Sequence, residues 1–132
     1  MPVLQGWTVE DYLRCVDLMR DDLPDLVGLG SVCRRNIHGE DGLVRIVSAL
    51  DEALPPHVKL HLFGVKGPAI PQLQNQILRI KSTDSMAWDF TARRQLQTTP
   101  GAIYDIKYRS SHLRKWYGAQ RQRVDNTLGV FA

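Results

Sequence analysis

The feature that most constrains the fold is a repeat of pattern rather than of residues. Four short apolar runs, each closed by glycine or a small polar residue, alternate with stretches whose apolar residues recur at helical spacing. The runs are Val3-Leu4 before Gln5-Gly6, Asp25 to Gly30, Val58 to Phe63 before Gly64, and about residues 78–83 before Asp84. Runs this short that stop at glycine suit strands of a parallel sheet. Between them a helix is predicted over about residues 9–21, capped by Thr8 with Asp11 three residues on, and showing Tyr12, Cys15, Val16 and Met19 on one face. A second follows Gly39, buries Leu43, Val44, Ile46, Val47 and Leu50, and closes at Pro55-Pro56, because proline cannot continue a helix. A shorter one over about 69–77 turns Leu73 and Ile77 inward, and 85–94 reads as helical again. Strand-helix alternation with short connections implies parallel strands joined by right-handed crossovers, as in an α/β barrel or an open doubly wound sheet. Neither a GxGxxG nor a Walker string is present, which weighs against nucleotide-binding doubly wound folds.

A chain of 132 residues, 43% hydrophobic, suffices for one core and one domain. Residues 1–94 hold the four βα units, and 95–132 form a basic extension that turns at Pro100-Gly101 and ends in a helix over 110–124, held by Leu113, Trp116, Tyr117 and Val124. No apolar run approaches the roughly 20 residues of a membrane span, and the N-terminus has no basic-then-apolar leader, so no membrane partner and a cytoplasmic location are expected. Cys15 and Cys33 are too few for a disulfide framework and are expected to be reduced. Charge is unevenly placed: residues 1–90 carry 9 Lys/Arg against 12 Asp/Glu, and 91–132 carry 8 against 2. A basic segment that also holds Tyr104, Tyr108, Trp116 and Tyr117 has the composition of a surface that meets phosphates, or else of a solvated helix face with its aromatics inward.

In a parallel barrel the carboxyl ends of the strands share one rim, so the residues that close each strand converge. Here they supply an amide at Gln5, exposed backbone at Gly28-Leu29-Gly30, an imidazole at His61 and a carboxylate at Asp84. In this order and spacing the strings LQGW, VGLGSV, LHLFGVKG and TDSMAW resemble the second half of the barrel of tRNA-guanine transglycosylases. They are closest to the branch that places 7-deazaguanines in DNA, of which SVCRR is also typical. Each string alone is weak and four in register are strong; the match spans about residues 3–94.

The resemblance implies a parallel half of a TIM-like (β/α)8 barrel with a basic C-terminal helix, and exchange of guanine for a 7-deazaguanine in DNA or tRNA. It implies Asp84 as the nucleophile, and Gln5, Gly6, Gly28, Leu29, Gly30, His61 and Gly64 around the base. A carboxylate suits the reaction, because breaking a glycosidic C–N bond passes through an oxocarbenium-like state that it can stabilise and trap at C1′. Arg34, Arg35, Lys66, Arg93 and Arg94 are expected on the rim, to contact phosphates or simply to be solvated.

Plainer roles stand beside these. Asp84 precedes a helix and can be its N-cap, His61 can be a hydrogen-bonded core histidine, and Cys33 beside two arginines can serve packing or touch substrate. The sequence also departs from the family. The barrel's first half and its acidic residues are not in it, so no general acid is assigned. The family's C-terminal zinc cluster is reduced to His112 without cysteine, so no metal or other cofactor is expected. Four βα units leave two sheet edges open, which predicts association with a second copy or with a separately encoded N-terminal half. A nucleic-acid-binding or regulatory subunit without turnover is the rival from another class.

Overall fold

The computed structural model describes residues 1–129. Four parallel strands form one sheet in the order β1-β2-β3-β4: β1 Val3–Leu4, β2 Leu26–Leu29, β3 Lys59–Leu62 and β4 Ile80–Thr83. Sequential order without reversal is the arrangement of a barrel segment; a doubly wound sheet reverses at a switch point. One core lies between the sheet and a single helical layer: Leu4, Val27, Leu29, Leu60 and Leu62 from the strands meet Tyr12, Val16, Ile46, Val47, Leu50 and Leu73. The chain is therefore mixed α/β with the architecture of half an α/β barrel.

The helices follow from local chemistry. In α1, Val9–Met19, the Thr8 hydroxyl accepts from the Asp11 N–H at 3.3 Å while the Asp11 carboxylate accepts from the Thr8 and Trp7 N–H groups, both at 3.0 Å. Those two backbone donors hold the Asp11 carboxyl below the usual carboxylate range. Helix α2, Leu43–Ala53, buries Leu43, Ile46, Val47 and Leu50 as its spacing predicts, with Val44 half-buried. The expected helix over 69–77 is instead a 3₁₀ segment, Gly67–Arg79, kinked at Leu73. Pro71, inside the segment, has no N–H to donate and interrupts an α-helical ladder there. Leu73 and Ile77 still point inward.

Helix α3 spans Ala87–Leu96, and the terminal helix α4 runs Ile106–Gly129, well beyond the expected 110–124. Its start is set by Asp105, whose carboxylate accepts from the Tyr108 N–H at 2.8 Å. Leu113 and Tyr117, expected to pack it, are 40% and 57% exposed; Trp116 and Val124 are half-buried. α4 leans on the 3₁₀ segment and β4 across a mainly apolar cavity of about 470 Å³ lined by Leu62, Ile77, Ile80, Trp116 and Val124. It is fastened to α3 by polar contacts. The buried Asp89 carboxylate accepts from the Tyr104 hydroxyl and pairs with Arg93 at 3.0 Å and Arg109 at 3.4 Å, and the Tyr108 hydroxyl donates to the Ala92 carbonyl at 2.9 Å.

An unanticipated tie is Arg79, 9% exposed, which pairs with Asp51 at 2.6 Å and donates to the carbonyls of Asp51, Leu54, Pro55 and Val58. It satisfies the carbonyl end of α2 and fixes the turn into β3. No described helix is long and apolar enough to cross a membrane.

Candidate functional site

Side chains alternate across a strand, so the register sorts them by face. Leu4, Leu29, Leu62 and Thr83 lie at one level and turn to the helices; Val3, Gly28, His61 and Ser82 pair at the neighbouring level and turn to the other face. One residue further, Gln5, Gly30, Phe63 and Asp84 share that second face. The glutamine and the carboxylate predicted from the strand ends are thus brought to the same side of the sheet. Contacts run between them: a Cβ built on Gly30 would lie 3.2 Å from Gln5 Cγ, one on Gly28 would lie 2.6 Å from Phe63, and Phe63 stands edge-on to His61 with centroids 4.5 Å apart.

Asp84 is held from two sides. Its Oδ1 accepts from the Gly64 N–H at 2.5 Å, and its Oδ2 lies 3.7 Å from His61 Nε2. The Asp84 N–H donates to the Leu62 carbonyl at 3.3 Å, which extends the β3–β4 ladder by one residue. The carboxylate is 58% exposed and the imidazole 17%. His61 Nδ1 shares a 2.7 Å hydrogen bond with Ser82 Oγ, so the ring is held by Ser82 beside Asp84 instead of sitting in the apolar core. Asp84 is not the cap of α3: that position is Met86, and the Ala87 N–H is taken by Ser85 Oγ at 3.2 Å. Gly64 turns in the left-handed region at φ +66, and a Cβ there would come within 3.0 Å of Cys33 Cβ and Sγ. Cys33 thus packs on the peptide that holds Asp84. Both cysteines are free; the Cys15 thiol donates to the Gln5 carbonyl at 3.0 Å.

The space over Gly28 and Gly30, expected to admit a ligand to the backbone, is occupied by the chain's own Phe63, Val3 and Gln5. Gly6 approaches the start of α1, its Cβ position 2.6 Å from Asp11 Cβ, and Leu29 turns into the core.

The five rim cations divide. Arg34 and Lys66 are exposed just beyond the ends of β2 and β3. Arg35 is not a rim contact: its guanidinium donates to the carbonyls of Gly6, Trp7, Ser31 and Asp41 at 2.7 to 3.2 Å and stacks 4.9 Å from the Trp7 ring. It ties the end of β1 to the end of β2, across a turn in which Ser31 (φ 59) and Arg34 (φ 64) hold strained left-handed backbone. Tyr12, read as a core position, adds to this tie, its buried hydroxyl donating to the Gly30 carbonyl at 2.8 Å. Burial pushes its phenol up, with Arg35 opposing. Arg93 and Arg94 do not follow a strand end directly; they fall in the last turn of α3, where Arg93 serves the Asp89 cluster. Among the described residues no group of three or more His, Cys, Asp or Glu is placed to hold a metal.

The arrangement offers an anchored, solvent-accessible carboxylate, an adjacent imidazole and an amide on one open sheet face. That set can trap an electrophilic carbon and read a planar heterocycle. No curated protein and no solved structure matches the chain. The model of the family DpdA, DeoxyPurine in DNA protein A, matches residues 1–129, nearly the whole sequence. The chain therefore belongs to the DpdA family, the transglycosylase-like branch acting on DNA that its strand-end strings resemble.

Proposed function

We propose that the chain supplies the nucleophile half of a DNA base-exchange site, in which guanine is replaced by a 7-deazaguanine through a covalent intermediate on Asp84. Family membership ties it to 7-deazaguanine modification of DNA in general. The finer reading rests on one observation: Asp84 is fixed by the Gly64 N–H and faces His61 on the side of the sheet that carries Gln5. In the first step Asp84 forms a bond to deoxyribose C1′ as the C1′–N9 bond to guanine breaks, and guanine leaves after taking up a proton. In the second, the incoming base, having lost its N9 proton, attacks C1′ and displaces the carboxylate. Gln5 matches donors and acceptors on the base edge, with His61 and Gly64 beside it. Arg34 and Lys66 meet phosphate.

The test is exchange of labelled guanine or a 7-deazaguanine into guanine-containing DNA, by the chain alone and with a separately expressed N-terminal half-barrel. Incorporation and a denaturation-resistant protein–DNA adduct are expected, and Asp84→Ala should lower incorporation by about 10³-fold or more. Incorporation that survives the substitution removes Asp84 from the mechanism.

One observation favours a second reading, a DNA-binding subunit without turnover. Among the described residues Asp84 is the sole carboxylate on this face of the four strands, so the proton for the departing guanine has no carboxylic donor beside it. Restored exchange on adding the other half decides for the enzyme.

A further inference from the structure

A second cavity, of about 590 Å³, opens between the start of the 3₁₀ segment, α3 and α4. Its walls carry Lys66, Lys115 and Arg123, the half-buried indoles of Trp88 and Trp116, and His112. No carboxylate lines it. Among the described residues neither Lys66, Lys115 nor Arg123 forms an ion pair; the Arg123 guanidinium donates only to the Gln120 amide oxygen at 2.9 Å. Of the other six cations in the basic segment, Arg94, Lys107, Arg114 and Arg121 likewise form no ion pair among the described residues. Arg93 and Arg109 are neutralised at Asp89, and Tyr104 and Tyr108 are used in fastening α3 to α4. Three cations outside any ion pair and two indoles thus line one cleft.

The cleft also has a position. Lys66 lies two residues past Gly64, and Ala87 in its wall lies three past Asp84, so it begins no more than about 11 Å of extended chain from the carboxylate and its anchor. Converging unpaired cations call for a polyanion, and indoles beside them suit unpaired bases, every one of which has a π-face to stack. A nucleotide that reacts at C1′ must leave the duplex stack, which exposes single strand next to the reacting residue.

We propose that this cleft is the track for the single-stranded DNA flanking the exchanged guanine, with its phosphates on Lys66, Lys115 and Arg123 and unpaired bases against Trp88 and Trp116. The proposal deepens the function given above, and its test reads binding, so that it stands or falls separately from the chemistry at Asp84.

The experiment is fluorescence anisotropy with a short labelled, guanine-containing single strand over a salt series. The double variant Lys66→Glu/Lys115→Glu, both exposed positions, should weaken binding at least about tenfold and lower the slope of log K against log salt by about 1.4, or about 0.7 per lost phosphate contact. Trp88→Ala should cost about tenfold at constant slope. Arg45→Glu, on the exposed side of α2, should stay within about twofold of the parent, and circular dichroism checks that each variant is folded. Equal losses from Arg45→Glu and the lysine pair would reduce the effect to overall charge and overturn the track. Trp88→Ala binding as tightly as the parent would overturn it too, as would failure of the parent chain to bind single strands. Cleft variants that bind normally while exchange still depends on Asp84 would sink the cleft and leave the proposed reaction standing.

Discussion

At Gly64 two requirements meet: a left-handed turn that L residues adopt at a cost, and a close approach to Cys33, whose side chain would have to give way to a Cβ. Its N–H is also what holds Asp84. Gly64→Ala is therefore expected to cost about 1–2 kcal/mol in urea unfolding and, out of proportion to that, to lower base exchange at least tenfold by releasing the carboxylate. A loss of exchange no larger than the stability change predicts would show that the peptide is not a positioning element. Tyr12→Phe should cost about 1 kcal/mol, because the Gly30 carbonyl loses its donor. Asp84 and Gln5 were legible from their places at strand ends. The hydrogen bond that holds His61 was not, since its partner Ser82 lies 21 residues away.

Among the elements, polar clamps do what apolar spacing does elsewhere. Arg79→Ala leaves the end of α2 and the paired Asp51 without a donor, and should cost about 3 kcal/mol, measured as the shift of the urea midpoint at constant slope. The α3–α4 clamp carries a pH signature. The Tyr104 hydroxyl, with Arg93 and Arg109, holds the Asp89 carboxyl below its ordinary range. A depressed folded-state pKa means that the unfolded chain binds the proton more readily. Its contribution is accordingly full above the unfolded value of about 3.9 and is lost as pH falls through the folded one. Asp11 at the α1 cap acts in the same direction. Thermal unfolding from pH 7 downward should show stability falling below about pH 4, and Asp89→Asn should flatten that acid limb. An unchanged limb would locate the titration elsewhere. The capping box of α1 and the apolar face of α2 could be read because both are local in sequence. The 3₁₀ segment was missed although Pro71 falls inside it, and the start of α4 was missed although Asp105 is a capping residue.

For the whole molecule, the sheet ends in two strands with one neighbour each, β1 and β4, and β4 is exposed along Lys81, Ser82 and Thr83. Open edges beside an uncovered face predict association, as a dimer or with a separate half-barrel. Light scattering after size exclusion should give more than the monomer mass of 15.0 kDa, or do so once the other half is added; a monomer under both conditions would count against it. By itself the sequence determined the parallel βα architecture, the strand limits to within about two residues and the identity of the strand-end carboxylate, because hydrophobic period, caps and glycine stops act over a few residues. Only the tertiary structure decided which charges are free. Arg35 and Arg79 reach carbonyls more than 20 residues distant and Arg93 serves Asp89, whereas Lys66, Lys115 and Arg123 face a common cleft. A guanidinium or ammonium has the same identity in every setting, and its partner is chosen by where the folded chain brings carbonyls and carboxylates within about 3 Å of it.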